Sequence, residues 1–252
     1  MSTTLLSVEG LGKSFGGFRA VQEVSFTVSP GEFSAVIGPN GAGKTTLFNL
    51  LTGHLPKTSG RVVFEGTDIS HRSPHDIVRL GIGRAFQRAN IFPGLTVLEN
   101  IHVAVLVHAG RHRGIRRPAR TDAEGREQAR AILRAVHLIR AEDTLAGNLS
   151  HGDQKLLDIA IALASSPRIL LLDEPTAGMH PERRRDTMAL IKQLWRERTM
   201  TVLFIEHDMD IVFEIAGLVR VLHQGRLIAE GTPTEISANR LVVEAYLGES
   251  AL

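Results

Sequence analysis

Gly38-Pro39-Asn40-Gly41-Ala42-Gly43-Lys44-Thr45 separates an apolar run ending at Ile37 from a helically spaced run through Leu47, Leu50 and Leu51. Few short segments constrain a fold as tightly. Glycines at Gly38, Gly41 and Gly43 let consecutive backbone N–H groups curl round an anion, and the helix that follows adds positive potential at its N-terminus. Lys44 can neutralise phosphate oxygens, and the Thr45 hydroxyl can ligate a magnesium ion. The order strand, glycine loop, helix therefore predicts a phosphate cradle at the carboxyl end of a buried strand.

The spacing G-x-x-x-x-G-K-[ST] is the P-loop pattern in its required context. A second buried strand, Ile169–Asp173, delivers the Asp173 carboxylate, which can hold magnesium, and Glu174 follows it, where a carboxylate can polarise an attacking water. Thr201–Glu206 reads as a third strand of the same kind. Ligands of open α/β sheets bind outside the carboxyl ends of the strands, so the loop after Ile37, Asp173 and Glu174 are expected to converge there.

These runs predict an α/β fold, a P-loop NTPase core with a mainly parallel sheet. Leu5–Glu9, Val24–Val28 and Arg61–Glu65 alternate and read as an antiparallel β flank. Thr96-Val97-Leu98-Glu99 has the form of a capping box, and Ala129, Ile132, Leu133 and Val136 repeat at helical spacing. A single domain over residues 1–252 is expected, with core segments 1–87 and 166–252 and an inserted helical subdomain at about 88–165. Val219–Leu222 and Leu227–Ala229 flank a turn at Gln224-Gly225, and short helices close the chain.

No apolar stretch approaches the ~20 residues of a membrane-spanning helix, since Leu156–Leu172 is broken by Asp158, Pro167 and Arg168. The start MSTTLLSVEG shows neither a basic leader nor an apolar h-region with a cleavage site, so export is not expected, and the absence of cysteine excludes disulfides and thiol catalysis and fits a cytosolic setting. Although the isoelectric point is basic, the formal net charge is only +2. No nucleic-acid partner is expected. The run Arg111-His112-Arg113-Gly114-Ile115-Arg116-Arg117 reads as a solvated loop or as a phosphate or lipid-headgroup patch, with no aromatic residue for base stacking.

From Leu5 to Gly248 the chain resembles the ATP-binding-cassette family, whose further elements occur in order: Phe15, Gln87, Leu149-Ser150-His151-Gly152-Asp153, the turn after Pro175, and His207. The resemblance implies nucleotide contacts at Phe15, Gly38, Pro39, Asn40, Gly41, Ala42, Gly43, Lys44, Thr45, Thr46, Ser150 and Gly152. Phe15 would stack on adenine, although a phenylalanine near a strand also suits a core. Metal contacts are implied at Thr45, Gln87 and Asp173, and catalytic roles at Glu174, His207, Gln87 and Lys44, with ATP and Mg2+ as cofactors.

Ser150, the Gly152 backbone and the start of the following helix would bind the γ-phosphate of a partner subunit's ATP. Three positions depart from the family pattern: His151 replaces the first glycine of the signature LSGGQ, Asp153 its glutamine, and His180 the usual aspartate of the following turn. The resemblance further implies a dimer with an identical or homologous cassette, separate membrane permeases, an indirectly coupled substrate-binding protein, and a peripheral position on the cytoplasmic face of the inner or plasma membrane. Gly178-Met179-His180-Pro181 and the ending Gly231–Ile236 with Glu244–Gly248 are similar to the branched-chain amino-acid importer branch. Urea and short-amide importers, an exporter ATPase and a soluble iron–sulfur assembly ATPase remain the alternatives.

Overall fold

The computed structural model describes residues 4–110 and 122–247. In chain order its elements are β1 (Leu6–Phe15), β2 (Phe18–Val28), β3 (Phe33–Ile37), α1 (Lys44–Leu51), β4 (Ser59–Phe64), β5 (Thr67–Asp68), α2 (Pro74–Leu80), β6 (Ile82–Ala85), α3 (Val97–His108) and α4 (Ala123–Ala135). There follow α5 (His151–Leu163), β7 (Ile169–Asp173), α6 (Pro181–Arg198), β8 (Thr201–Ile205), α7 (Met209–Ile215), β9 (Leu218–His223), β10 (Arg226–Gly231), α8 (Pro233–Ser237) and α9 (Arg240–Leu247). The described residues form two compact units, 4–80 with 195–247, and 81–110 with 122–194. Among the described residues no helix is long and apolar enough to cross a membrane. The basic run at 111–117 lies outside them.

In the first unit, β2, β1, β4 and β5 form an antiparallel sheet in that order. β1 and β2 make one long hairpin, from the pair Leu6 and Val28 to the pair Phe15 and Phe18. Both strands outrun the stretches expected from alternation because the register shifts between Val8 and Leu11 and again near Lys13, so side chains change face midway. The same unit holds β3, paired in parallel with β8 on one side and β9 on the other, while β10 runs antiparallel to β9. Every residue of β3 and of β8 is buried, the pattern of a strand covered on both faces. Gln224 and Gly225 both take positive φ in the β9–β10 hairpin turn, as a tight two-residue connection requires.

In the second unit, β6 and β7 pair in parallel from Ile82 and Ile169 to Ala85 and Leu172. α3 starts at the expected capping box: the Glu99 amide donates to Thr96 Oγ1 at 3.1 Å, and the Thr96 amide donates to Glu99 Oε2 at 2.9 Å. α4 buries Ala129, Ile132 and Leu133, the stripe its spacing predicts. α5 is buried almost all round, including Lys155 and Asp158. α6 begins in this unit, and its residues from Trp195 belong to the first.

Candidate nucleotide site

The glycine loop continues β3 past Ile37 and ends where α1 begins. Gly38 has φ of +149°, and a Cβ there would run into the Leu222 carbonyl oxygen; Gly43, at φ of +99°, would likewise meet the Ala20 carbonyl. Side chains are thus excluded at both ends of the loop. The Gly225 amide donates to the Ala42 carbonyl at 3.0 Å and the Gln22 amide to the Gly225 carbonyl at 2.7 Å, so two hairpins brace the loop from outside.

α1 has no side-chain cap bond at Gly43 and no acidic residue in its first turn, features that suit a helix start facing an anion. Lys44 is buried, and its ammonium donates to the carbonyls of Gly38 at 2.6 Å and Pro39 at 2.8 Å. Asn40, Gly41 and Thr45 are exposed, and Thr46 is half-buried.

β8 lies beside β3 with Ile205 opposite Val36, so His207 leaves the sheet at the edge that launches the loop. His207 is exposed, and its amide donates to the carboxylate of the buried Glu206 at 3.2 Å. Phe15 ends β1 at the hairpin tip, 47% exposed, with Lys13 Nζ 4.9 Å from its ring centroid. That exposure removes the reading of Phe15 as a core residue.

In the second unit, pairing of Ala85 with Leu172 brings Phe86-Gln87 and Asp173-Glu174 off one strand edge together. Gln87 Nε2 donates to Glu174 Oε2 at 2.8 Å. Glu174 is nearly buried and sits at φ of +50°, a conformation that costs a non-glycine residue on the order of 1 kcal/mol and that tertiary structure must impose. Asp173 is 1% exposed, and its Oδ2 accepts from Arg84 Nη2 at 3.0 Å. Burial pushes the Asp173 carboxyl above its ordinary value, and the neighbouring Arg84 opposes that rise.

Asp173 Oδ1 is buried and, among the described residues, has no hydrogen-bond partner. A buried anionic oxygen with unused lone pairs suits a hard divalent cation, so the donor set fits magnesium.

Two buried residues of α5 hold the segment that carries Gln87. Lys155 donates to the carbonyls of Phe86 at 3.2 Å, of Gln87, and of Glu174 at 3.3 Å. Asp158 accepts from the amides of Phe86 at 2.8 Å and Asn90 at 3.0 Å, and desolvation raises its carboxyl to about 6. Sequence reasoning missed both, as well as Arg84. The available signal was a lysine and an aspartate three positions apart, the lysine preceding and the aspartate interrupting the apolar run from Leu156 to Leu163.

Ser150 caps α5, with its Oγ accepting from the Asp153 amide, and Gly152 lies in the first turn. The departing residues are also accommodated. The His151 ring lies beside Gly178, where a Cβ would come within 3.0 Å of it. His180 is exposed, whereas Met179 is buried and accepts a hydrogen bond from Thr187 at 3.4 Å.

A glycine loop between a buried parallel strand and an uncapped helix, in a chain that also carries a buried Asp-Glu pair at a strand end, defines a P-loop nucleotide-binding ATPase. The family model described as ABC transporter matches residues 21–177, and one described as branched-chain amino acid ATP-binding cassette transporter matches residues 226–251. The chain belongs to the ABC transporter family, as one of its ATP-hydrolysing cassettes.

It is 42% identical to the high-affinity branched-chain amino acid transport ATP-binding protein BraF of Pseudomonas aeruginosa, over 99% of this chain and 100% of that one. Identity to LivG of Escherichia coli, a protein of the same description, is 39% over the same shares. The lipopolysaccharide export system ATP-binding protein LptB of Escherichia coli is 36% identical over 97% of each chain. Among solved structures, an ABC transporter cassette in its ADP conformation matches with a TM-score of 0.85 at 35% identity, covering 97% of this chain and 99% of that one. A dimeric bacterial ABC transporter cassette matches at 0.79 and 27% identity, covering 90% and 98%.

Proposed function

We propose that this chain is the Mg-ATP-hydrolysing subunit that energises uptake of branched-chain or related amino acids. The observation that carries this reading is the family match over residues 226–251, and the full-length relatives named for branched-chain amino acid transport, at 42% and 39% identity, exceed the one named for export at 36%. A core at 1–87 and 166–252 with a helical subdomain at about 88–165 is the division this function calls for. The helical part, near Gln87, would meet the permeases.

Each residue then has a chemical task. The loop amides from Gly38 to Thr46 and the Lys44 ammonium bind the β- and γ-phosphates; Lys44 exchanges two carbonyl partners for phosphate oxygens as ATP enters. Phe15 offers its exposed face to adenine. Asp173, Thr45 and Gln87 would hold magnesium, which would neutralise charge on the phosphate oxygens. Glu174, kept in place by Gln87, takes a proton from the attacking water as its oxygen bonds to the γ-phosphorus; the bond from that phosphorus to the bridging oxygen breaks, giving ADP and inorganic phosphate. His207 donates to a γ-phosphate oxygen as negative charge shifts.

Ser150 and Gly152 serve the ATP of a second cassette, identical or homologous, so that ATP draws two subunits together and hydrolysis releases them. The dimeric relative supports that arrangement. Permeases and a substrate-binding protein complete the transporter, and the chain sits peripherally on the cytoplasmic face of the membrane.

The test is uptake of labelled leucine, isoleucine and valine by cells whose own copy is replaced by wild type or by Glu174→Gln. Accumulation of at least one should depend on the wild-type chain. Unchanged accumulation of all three would contradict the assignment, and selective loss of urea or short-amide uptake would reassign the substrate.

A further inference from the structure

The signature segment of this chain places a carboxylate one helical turn from the groups assigned to a phosphate. Ser150 Oγ donates to Asp153 Oδ2 at 2.8 Å while accepting from the Asp153 amide at 3.2 Å, so the hydroxyl proton points at the aspartate. Left alone, such a carboxylate would repel a triphosphate and keep the serine from donating to it. The structure supplies a counter-charge. Arg183, in the first turn of α6, donates through Nη2 to Asp153 Oδ1 at 2.6 Å. The two carboxylate oxygens are thus divided, one to the arginine and one to the serine.

The guanidinium also passes the helix start itself. A Cβ added to Gly152 would lie 3.8 Å from Arg183 Nε and 3.7 Å from the methyl group of Met179. The positive charge is therefore held against the backbone of the residue whose amide is assigned to the phosphate. A neutral glutamine at 153, as in the LSGGQ pattern, would need no such partner.

We propose that Arg183 is a positioning residue for ATP hydrolysis: by neutralising Asp153 it makes the serine-capped start of α5 acceptable to the γ-phosphate and frees the Ser150 hydroxyl to turn from carboxylate to phosphate. It rests on the reading that Ser150 serves a partner subunit's ATP. Arg183 acts through Asp153 and needs no contact with the nucleotide.

Steady-state ATP hydrolysis by the full-length chain tests this, with Arg183→Gln, Asp153→Gln, the double variant and Ser150→Ala compared at low and high salt. Arg183→Gln should raise the KM for ATP about tenfold with kcat changed less than threefold, and added salt should shrink the defect because it screens the uncovered carboxylate. In the Asp153→Gln background the same substitution should alter KM less than twofold. An equal cost in both backgrounds, or no cost in either, would overturn the proposal. Should Arg183→Gln fail to fold, Arg183→Lys keeps the charge and should stay within about threefold of wild type; a full tenfold defect there would count against charge neutralisation. If Ser150→Ala leaves KM and hydrolysis untouched, the underlying reading of the signature fails. If Ser150→Ala is impaired while Arg183→Gln is not, only the role of Arg183 fails.

Discussion

Lys44 and Lys155 are both buried lysines that donate to backbone carbonyls, and they work over different distances along the chain. Lys44 binds carbonyls five and six residues back, inside its own loop. Lys155 binds carbonyls 69, 68 and 19 residues away, tying the Gln87 segment and Glu174 to α5. The first arrangement is local: the loop is shaped by its glycines, and the ammonium can leave its carbonyls for a ligand without the fold changing. The second is an anchor, because removing it leaves acceptors stranded on separate segments. The chemical role proposed for Lys44 and the structural role of Lys155 thus go with bonds to near and to distant carbonyls respectively.

Substitution of the two lysines should split accordingly. Lys44→Ala should keep the melting temperature within a few degrees while kcat/KM for ATP falls about a thousandfold, ~4 kcal/mol of transition-state stabilisation. Lys155→Met should lower stability to denaturant by about 3 kcal/mol, because buried carbonyls lose their donor. Its kcat should fall about tenfold as the Gln87–Glu174 pair loosens, with the affinity for a fluorescent ATP analogue changing less than about twofold. Equal loss of affinity in both variants would erase the distinction.

Asp158 sharpens the contrast through pH. Burial raises its carboxyl to about 6, against the opposing pull of the Phe86 and Asn90 amides and of Lys155 and Arg84. An unfolded aspartate titrates near ~3.9, so between about pH 4 and pH 6 the folded chain retains a proton that the unfolded chain has lost. Stability contributed by this group therefore falls as pH rises through that window and levels off above it, by on the order of 2 to 3 kcal/mol. Denaturation measured from pH 4 to pH 7 should show this slope in the wild type and a flatter one in Asp158→Asn. Parallel curves would mean that Asp158 titrates normally.

The same divide explains how much was legible in the sequence. The strand–loop–helix around Lys44, the capping box at Thr96 and the Gln224-Gly225 turn depend on residues a few positions apart, and each formed where its spacing indicated. β6 gave no pattern, because Gly83 and Arg84 interrupt the apolar run. Gly83 instead fits against Pro167, which a Cβ would approach within 3.0 Å, and Arg84 is buried by pairing with Asp173. On α5, Leu156, Ile159 and Leu163 marked a helix, and the spacing of Lys155 and Asp158 against that apolar run was the one local hint that both face inward as well. Motif spacing similarly located Ser150, Glu174 and Gln87, whereas the bond from Gln87 to Glu174 and the support of Arg183 for Asp153 became visible only in the structure. Long-range polar pairs leave little trace in a single sequence, since either member alone resembles a solvated side chain.

Glu174 carries the central claim, a water-activating carboxylate in a nucleotide-hydrolysing cassette. The most direct measurement is single-turnover hydrolysis of Mg-ATP by Glu174→Gln alongside its ATP-dependent self-association. The variant should associate on adding ATP at least as well as wild type while hydrolysing it at least a hundredfold more slowly. Hydrolysis at the wild-type rate would show that some other group activates the water.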